Sequence, residues 1–227
     1  MIRAIIFDLD GTLADTEPLH FAAFGEVLRA EGIELSRDEY FTRLIGYDDR
    51  DCFTIVMTEN GRGAEPAAIA ALIARKAAVY QGLIAERNVL YPGAAEFVRR
   101  CAERFPLAIA TGTLRIEAEM ILQRGALREL FVDVVAAEDV AHGKPAPDGL
   151  LTALGRLGFI LRSRPPIAPD QCLVIEDTGA GVKAARAAGM RVLALSQSAA
   201  DADLAEADLI RKSLADTDLD DLLRRLK

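Results

Sequence analysis

The chain has 227 residues, a formal charge of −8 and an apolar fraction of 51%. That length admits one large domain or a core with a modest second one, and the composition excludes a disordered chain. The acidic balance excludes a nucleic-acid footprint spread over the whole surface but leaves room for a small cationic pocket.

The first element predicted is a strand over residues 2–7 (IRAIIF), continuously apolar as in a parallel sheet buried on both faces. It runs directly into Asp8 and Asp10, two carboxylates with no basic residue beside them. Residues two apart on a strand share a face, so the pair repels unless a cation or a shared proton compensates. From Asp15 to Asn88 the pattern turns helical, through FAAFGEVLRAEG, SRDEYFTRL, DDRDCFTIVMTEN and PAAIAALIARKAAVYQGLIAE, with Pro66 suited to a first helical turn. Alternation of strand and helix resumes at Tyr91-Pro92-Gly93. Strands are predicted over 106–111, 132–137, 171–177 and 190–196, with helices between them and a proline-rich loop at 158–171. The resulting expectation is an α/β fold, a doubly wound parallel sheet over residues 1–14 and 89–227, with an all-α insertion over 15–88.

Three separated cysteines, Cys52, Cys101 and Cys172, form no metal or redox pair and read as buried thiols. No apolar stretch is expected to span a bilayer, and the run Ala4–Phe7 is too short for a signal peptide, so the cytoplasm is the expected location.

Ligands of open α/β sheets bind beyond the carboxyl ends of the strands. There the sequence places Asp8 and Asp10, then Thr111, then Glu176 and Asp177, with Lys144 just past the third strand. An all-oxygen donor set suits a hard divalent cation such as Mg²⁺, which takes one or two carboxylates and binds substrate phosphate. Lys144, the Thr111 hydroxyl and nearby backbone N–H groups suit phosphate oxygens. An ionised Asp8 can attack phosphorus while Asp10 moves the proton. A calcium loop is excluded, because Thr12, Leu13 and Leu19 stand where its template needs an acid or Asn, Gly and Glu. GAGVKA (179–184) partly mimics a dinucleotide fingerprint, but Glu176 and Asp177 would meet the pyrophosphate.

DLDGTLADTE resembles the first motif of the haloacid dehalogenase superfamily, IATGT its second, GKPAPD its lysine motif and VIEDTGAG its acidic fourth. DTEPLH and GKPAPD are most similar to the group of β-phosphoglucomutase-like enzymes and sugar-phosphate phosphatases. The resemblance implies a Rossmann-like core with the helical insertion as a cap. It implies Asp8 as nucleophile, Asp10 as general acid/base, and Thr111 and Lys144 on the phosphoryl group. Mg²⁺ would sit on Asp8, the Asp10 carbonyl and Asp177, with Glu176 as a direct or outer ligand. Thr16, His20, Gly46, Gly112 and Thr113 are implied as substrate-binding positions, Thr16 also as a hinge. In the similar mutases an arginine grips a second phosphate where this chain has Asp49; Arg43 and Arg50 are the remaining cations nearby. Lys76, the only lysine of the insertion, sits deep in a helical run, which disfavours a Schiff-base role.

The expected activity is Mg²⁺-dependent hydrolysis of a small phosphorylated metabolite, a sugar phosphate, through an aspartyl-phosphate. The alternative is a phosphomutase, and below it a non-catalytic nucleotide- or phosphate-binding module. No nucleic-acid or membrane partner is expected; the partner is a small phosphorylated substrate, and the sequence leaves the oligomeric state open, a monomer included.

Overall fold

The computed structural model describes residues 1–44, 47, 49–197 and 201–226. Among these, six strands form one parallel sheet, β1 (Ala4–Phe7), β2 (Leu107–Ala110), β3 (Phe131–Val135), β4 (Cys172–Glu176), β5 (Arg191–Leu195) and β6 (Leu209–Arg211). Their order is β3-β2-β1-β4-β5-β6, and each neighbouring pair is parallel. This is the doubly wound order, whose direction of winding reverses between β1 and β4 and opens a crevice there.

Burial on both faces explains the unbroken apolar strands. Ala4 and Ile6 join one core with Ala108, Val174, Val192 and the apolar stripes of α7 (Asp148–Ile160) and α8 (Gly179–Ala187). Phe7, on the opposite face, meets Phe97 of α5 (Ala94–Ala102) and Phe131 edge-on, at 6.4 and 5.9 Å between ring centroids. The helix α6 (Arg115–Arg124) packs on β3, and α9 (Leu219–Arg225) on α5.

Two elements were absent from the sequence reading. β6 is three half-buried residues at the sheet edge, too short to register as an apolar run, and α9 is a seven-residue helix capped by Asp218. Conversely, α7 runs on through Gly158, Phe159 and Ile160, which the sequence placed in the following loop. Two glycines at 155 and 158 weaken the helical signal there without breaking the helix.

The chain divides into two compact units, Met1–Asp15 with Asn88–Lys227, and Thr16–Arg87. The second unit holds α1 (Glu17–Ala30), α2 (Arg37–Glu39), α3 (Asp49–Glu59) and α4 (Pro66–Glu86). Ser36 caps α2 through its Oγ, and the chain then widens into a π-type turn over Tyr40–Leu44 rather than the single helix expected from SRDEYFTRL. Phe24, Tyr40 and Phe53 centre the core of this unit, and the Tyr40 hydroxyl donates to Glu17 Oε2 at 2.8 Å.

By length and hydropathy alone α4 is apolar enough to cross a membrane, but Arg75 and Lys76 interrupt it, consistent with the expectation of no uninterrupted apolar stretch of that length. Its buried stripe is Ile69, Leu72, Lys76, Tyr80 and Ile84, and it packs on α1 and α3. Alanines on the remaining faces raise its hydropathy without adding to the core.

Phe7 is fully buried between two rings, so Phe7→Ala should cost about 3–5 kcal/mol of core stability, as for other buried aromatic truncations. Urea unfolding of the variant against the parent, at unchanged slope, measures it.

Candidate active site

The chain leaves β1 through a tight turn. The N–H of Gly11 donates to the Ala14 carbonyl, while those of Leu13 and Ala14 both donate to that of Leu9. Gly11 has φ +73°, and a Cβ there would collide with the Asp177 carboxylate, so glycine is required on two counts. The turn brings Asp8 and Asp10 to the carboxyl edge beside Thr111, which follows β2, and Glu176 and Asp177, which end β4.

Lys144 is the cation among them. Its ammonium donates to Asp8 Oδ1 at 2.5 Å and to Glu176 Oε1 at 2.6 Å. The other oxygen of Glu176 accepts from the N–H groups of Asp177 and Thr178 and from the Thr178 hydroxyl, at 2.6–2.9 Å. Both Glu176 oxygens are therefore occupied. Asp10 is held differently: Oδ2 accepts from the hydroxyls of Thr113 and Thr111, the latter at 3.3 Å, and Thr111 Oγ accepts from the Thr113 N–H at 3.1 Å. Thr12 Oγ donates to Asp177 Oδ1 at 2.7 Å and so aims that carboxylate.

Burial pushes the Asp8 carboxyl well above its usual range; Lys144 opposes this, and the Glu176, Asp177 and Asp10 carboxylates reinforce it. Burial also opposes the charges of Glu176 and Lys144, yet their mutual attraction wins. Glu176 is held below the ordinary carboxylate range, and Lys144 above the ordinary lysine range by Asp8 and Glu176. One lysine against four carboxylates leaves a net negative crevice that calls for a further cation.

Among the described residues no three His, Cys, Asp or Glu side chains converge into a metal cage. Magnesium does not require one, since it keeps several waters and takes one or two carboxylates. Asp8 and Asp177, both buried and the latter oriented by Thr12, fit that demand.

The remaining site candidates fall as follows. Open space surrounds the Cα of Gly112, as close approach of a ligand would need. In the helical unit Thr16 is buried at the start of α1, its carbonyl accepting from the N–H groups of Leu19 and His20. Arg43 is bound by both oxygens of Glu59 and by Glu39 on an exposed face, and Arg50 is exposed. Gly46 lies outside the described residues.

His20 stacks on Tyr80 at 4.1 Å and contacts the Lys76 ammonium through Nδ1 at 2.8 Å. Lys76 itself donates to both oxygens of Asp49, at 2.8 and 3.0 Å. Sequence reasoning missed this cluster. Its signal was a cation at the centre of an apolar stripe spaced 69, 72, 76, 80, 84. Gln197 was missed as well: its Nε2 donates to the Gly11 and Thr12 carbonyls at 2.7 and 3.1 Å, and nothing local in the sequence marks it.

With this geometry in view, likeness to known proteins takes on chemical meaning. The haloacid dehalogenase-like hydrolase family matches residues 2–189. The chain belongs to that family. It is accordingly an enzyme, a hydrolase, and the family's members generally use Mg²⁺. It is 38% identical to protein CbbY of Rhodobacter capsulatus over 85% of this chain and 84% of that one. It is 34% identical to the fructose-1-phosphate phosphatase YqaB of Escherichia coli, over 82% of this chain and 92% of that one. A crystal structure of a CbbY variant from Rhodobacter sphaeroides in complex with xylulose-(1,5)bisphosphate superposes with a TM-score of 0.81 at 30% identity, covering 95% and 96% of the two chains.

His20 carries a pH consequence. Burial, then Lys76, hold its pKa well below 6.5, so the folded state binds fewer protons than the unfolded one as pH falls. Stability is therefore undiminished above about pH 6.5 and declines from there toward the depressed folded value. Thermal unfolding from pH 7.5 to 5 should show that decline, and His20→Gln should flatten part of it.

Proposed function

We propose that the protein is a Mg²⁺-dependent phosphomonoester hydrolase acting on a small phosphorylated metabolite, a sugar phosphate, through an aspartyl-phosphate at Asp8. The observation that carries this reading is the unlike treatment of the two aspartates: Asp8 accepts from the Lys144 ammonium, whereas Asp10 is held by the hydroxyls of Thr111 and Thr113. Kinship to a fructose-1-phosphate phosphatase supports the substrate class.

In this reading an Asp8 oxygen attacks phosphorus, the bond from phosphorus to the sugar oxygen breaks, and Asp10 gives that oxygen its proton. Water then attacks the phosphorus of the aspartyl-phosphate, and Asp10 takes a proton from it. Phosphate leaves and Asp8 is regenerated. Lys144 attracts the phosphoryl oxygens, and Glu176, with both its own oxygens occupied, holds Lys144 in place rather than ligating metal directly. Gly112, with open space where a side chain would stand, leaves room for phosphate oxygens to approach its backbone. Mg²⁺ would be held by Asp8, Asp177 and the Asp10 carbonyl, and when bound would supply charge neutralisation between the carboxylates and the phosphoryl group. In this reading residues 15–88 are the family's helical cap, with Thr16 as the hinge candidate.

Screening with Mg²⁺ against a panel of sugar phosphates should give phosphate release on one or a few members; isomer interconversion without release would identify a mutase instead. Asp8→Asn should abolish turnover by at least about 10⁴-fold with an unchanged circular dichroism spectrum, since it removes the nucleophile. Thr12→Val, which leaves Asp177 without its aiming hydroxyl, should weaken Mg²⁺ affinity by about 10–100-fold in a metal titration.

A further inference from the structure

The helix α7 turns Leu150, Ala153, Leu154 and Leu157 to the sheet, as a helix covering one face of a core must. Its opposite face is apolar as well. Leu151 and Phe159 stand there 44% and 85% exposed, with the exposed Gly155 between them. A Cβ at Gly155 or Gly158 would meet nothing within 4 Å, so no neighbour inside the fold requires either glycine. Glycine in a helix interior is destabilising relative to alanine, and close approach of a second backbone is one reason to keep it. The two ends of this face carry opposite charges. Asp148, its side chain 38% exposed, opens the helix. Arg162, exposed and in no ion pair among the described residues, follows its last turn. Residues 148, 151, 155, 159 and 162 recur at three- and four-residue steps and so form one stripe.

From this stripe we infer that the outer face of α7 binds the same face of a second copy of the chain, the two helices antiparallel about a two-fold axis at Gly155. A two-fold contact uses one patch twice, so the patch must complement itself. This one does so in a single orientation. Antiparallel pairing sets Leu151 against Phe159 across the axis, Asp148 against Arg162, and Gly155 against itself. Parallel pairing would set acid against acid and base against base. Glycine at the crossing lets the two backbones approach more closely than the usual 8–10 Å between helix axes, so the leucine and phenylalanine reach the facing helix. Antiparallel macrodipoles also place each helix's positive end beside the other's negative end. An anionic membrane would suit Phe159 and Arg162 but would meet Asp148 with like charge, whereas a second copy answers both ends. One helix per copy makes a small interface, so the pairing is weak and depends on concentration. It is independent of the activity proposed above.

Sedimentation velocity of the full chain from about 5 to 500 µM should pass from monomer toward dimer. Phe159→Asp should weaken the association at least tenfold. Gly155→Gln separates the two roles of the glycine: as a better helix former it should raise the melting temperature of dilute protein by about 1–3 °C, yet weaken the dimer at least tenfold. Asp148→Arg and Arg162→Asp should each weaken pairing, and the two together should restore it, because the swapped charges face one another again. The native cysteines are all buried, so Gly155→Cys adds an accessible thiol on the axis. It should give a disulfide-linked dimer under a mild added oxidant, whereas Glu96→Cys on the exposed face of α5 should not. Circular dichroism identical to the parent qualifies each variant. A monomer at every concentration overturns the inference, including one that binds anionic phospholipid vesicles through Phe159 instead. So does a dimer that Phe159→Asp and Gly155→Gln leave intact, or a charge swap that fails to restore pairing.

Discussion

Everything at the carboxyl edge of the sheet depends on how four acidic side chains are kept together. Bringing Asp8, Asp10, Glu176 and Asp177 to one crevice is electrostatically unfavourable, and among the described residues Lys144 is the ammonium set among them. Glu176 is answered completely, by Lys144 on one oxygen and three donors on the other. Asp8, among the described residues, accepts a side-chain hydrogen bond on one oxygen, from Lys144, and is pushed toward protonation by burial. That imbalance keeps the crevice receptive to a cation and to a phosphoryl group, and it follows from placement rather than from any unusual residue.

The helical unit solves the converse problem. A lysine in an apolar stripe is tolerable only with partners, and Asp49, His20 and two aromatic faces provide them. The two units therefore place their cations differently. Lys144 bridges two carboxylates and remains next to Asp8, whereas Lys76 is enclosed.

The sheet was legible because its strands are apolar on both faces, so runs such as AIIF and CLVIE need no periodicity to be noticed. β6 was not, since three half-buried residues carry too little signal. The carboxylates, Thr111 and Lys144 could be read because each stands next to a strand end or in a short motif. Thr178 and Gln197 could not: their contribution is a hydrogen bond to a neighbour's backbone or carboxylate, which only the fold brings within reach. Lys76 lay between these cases, visible as an anomaly in a stripe but without its partners Asp49 and His20, which sit on other helices.

The strand order has one more consequence, for the timing of assembly. The Thr12 hydroxyl and the Asp177 carboxylate it aims are 165 residues apart, and Lys144 is 136 residues from Asp8. β1 is flanked by β2 and β4, both far downstream, while the helical unit is drawn from one contiguous stretch. Contacts of such long range are closed late, after the local ones. As the chain emerges from the ribosome, the helices of residues 16–87 can form long before β1 gains its second neighbour. Until β4 docks, the acidic end of β1 waits without its full lysine bridge and without the Asp177 carboxylate that Thr12 aims, so the chemistry of this protein comes into being well after its helical unit.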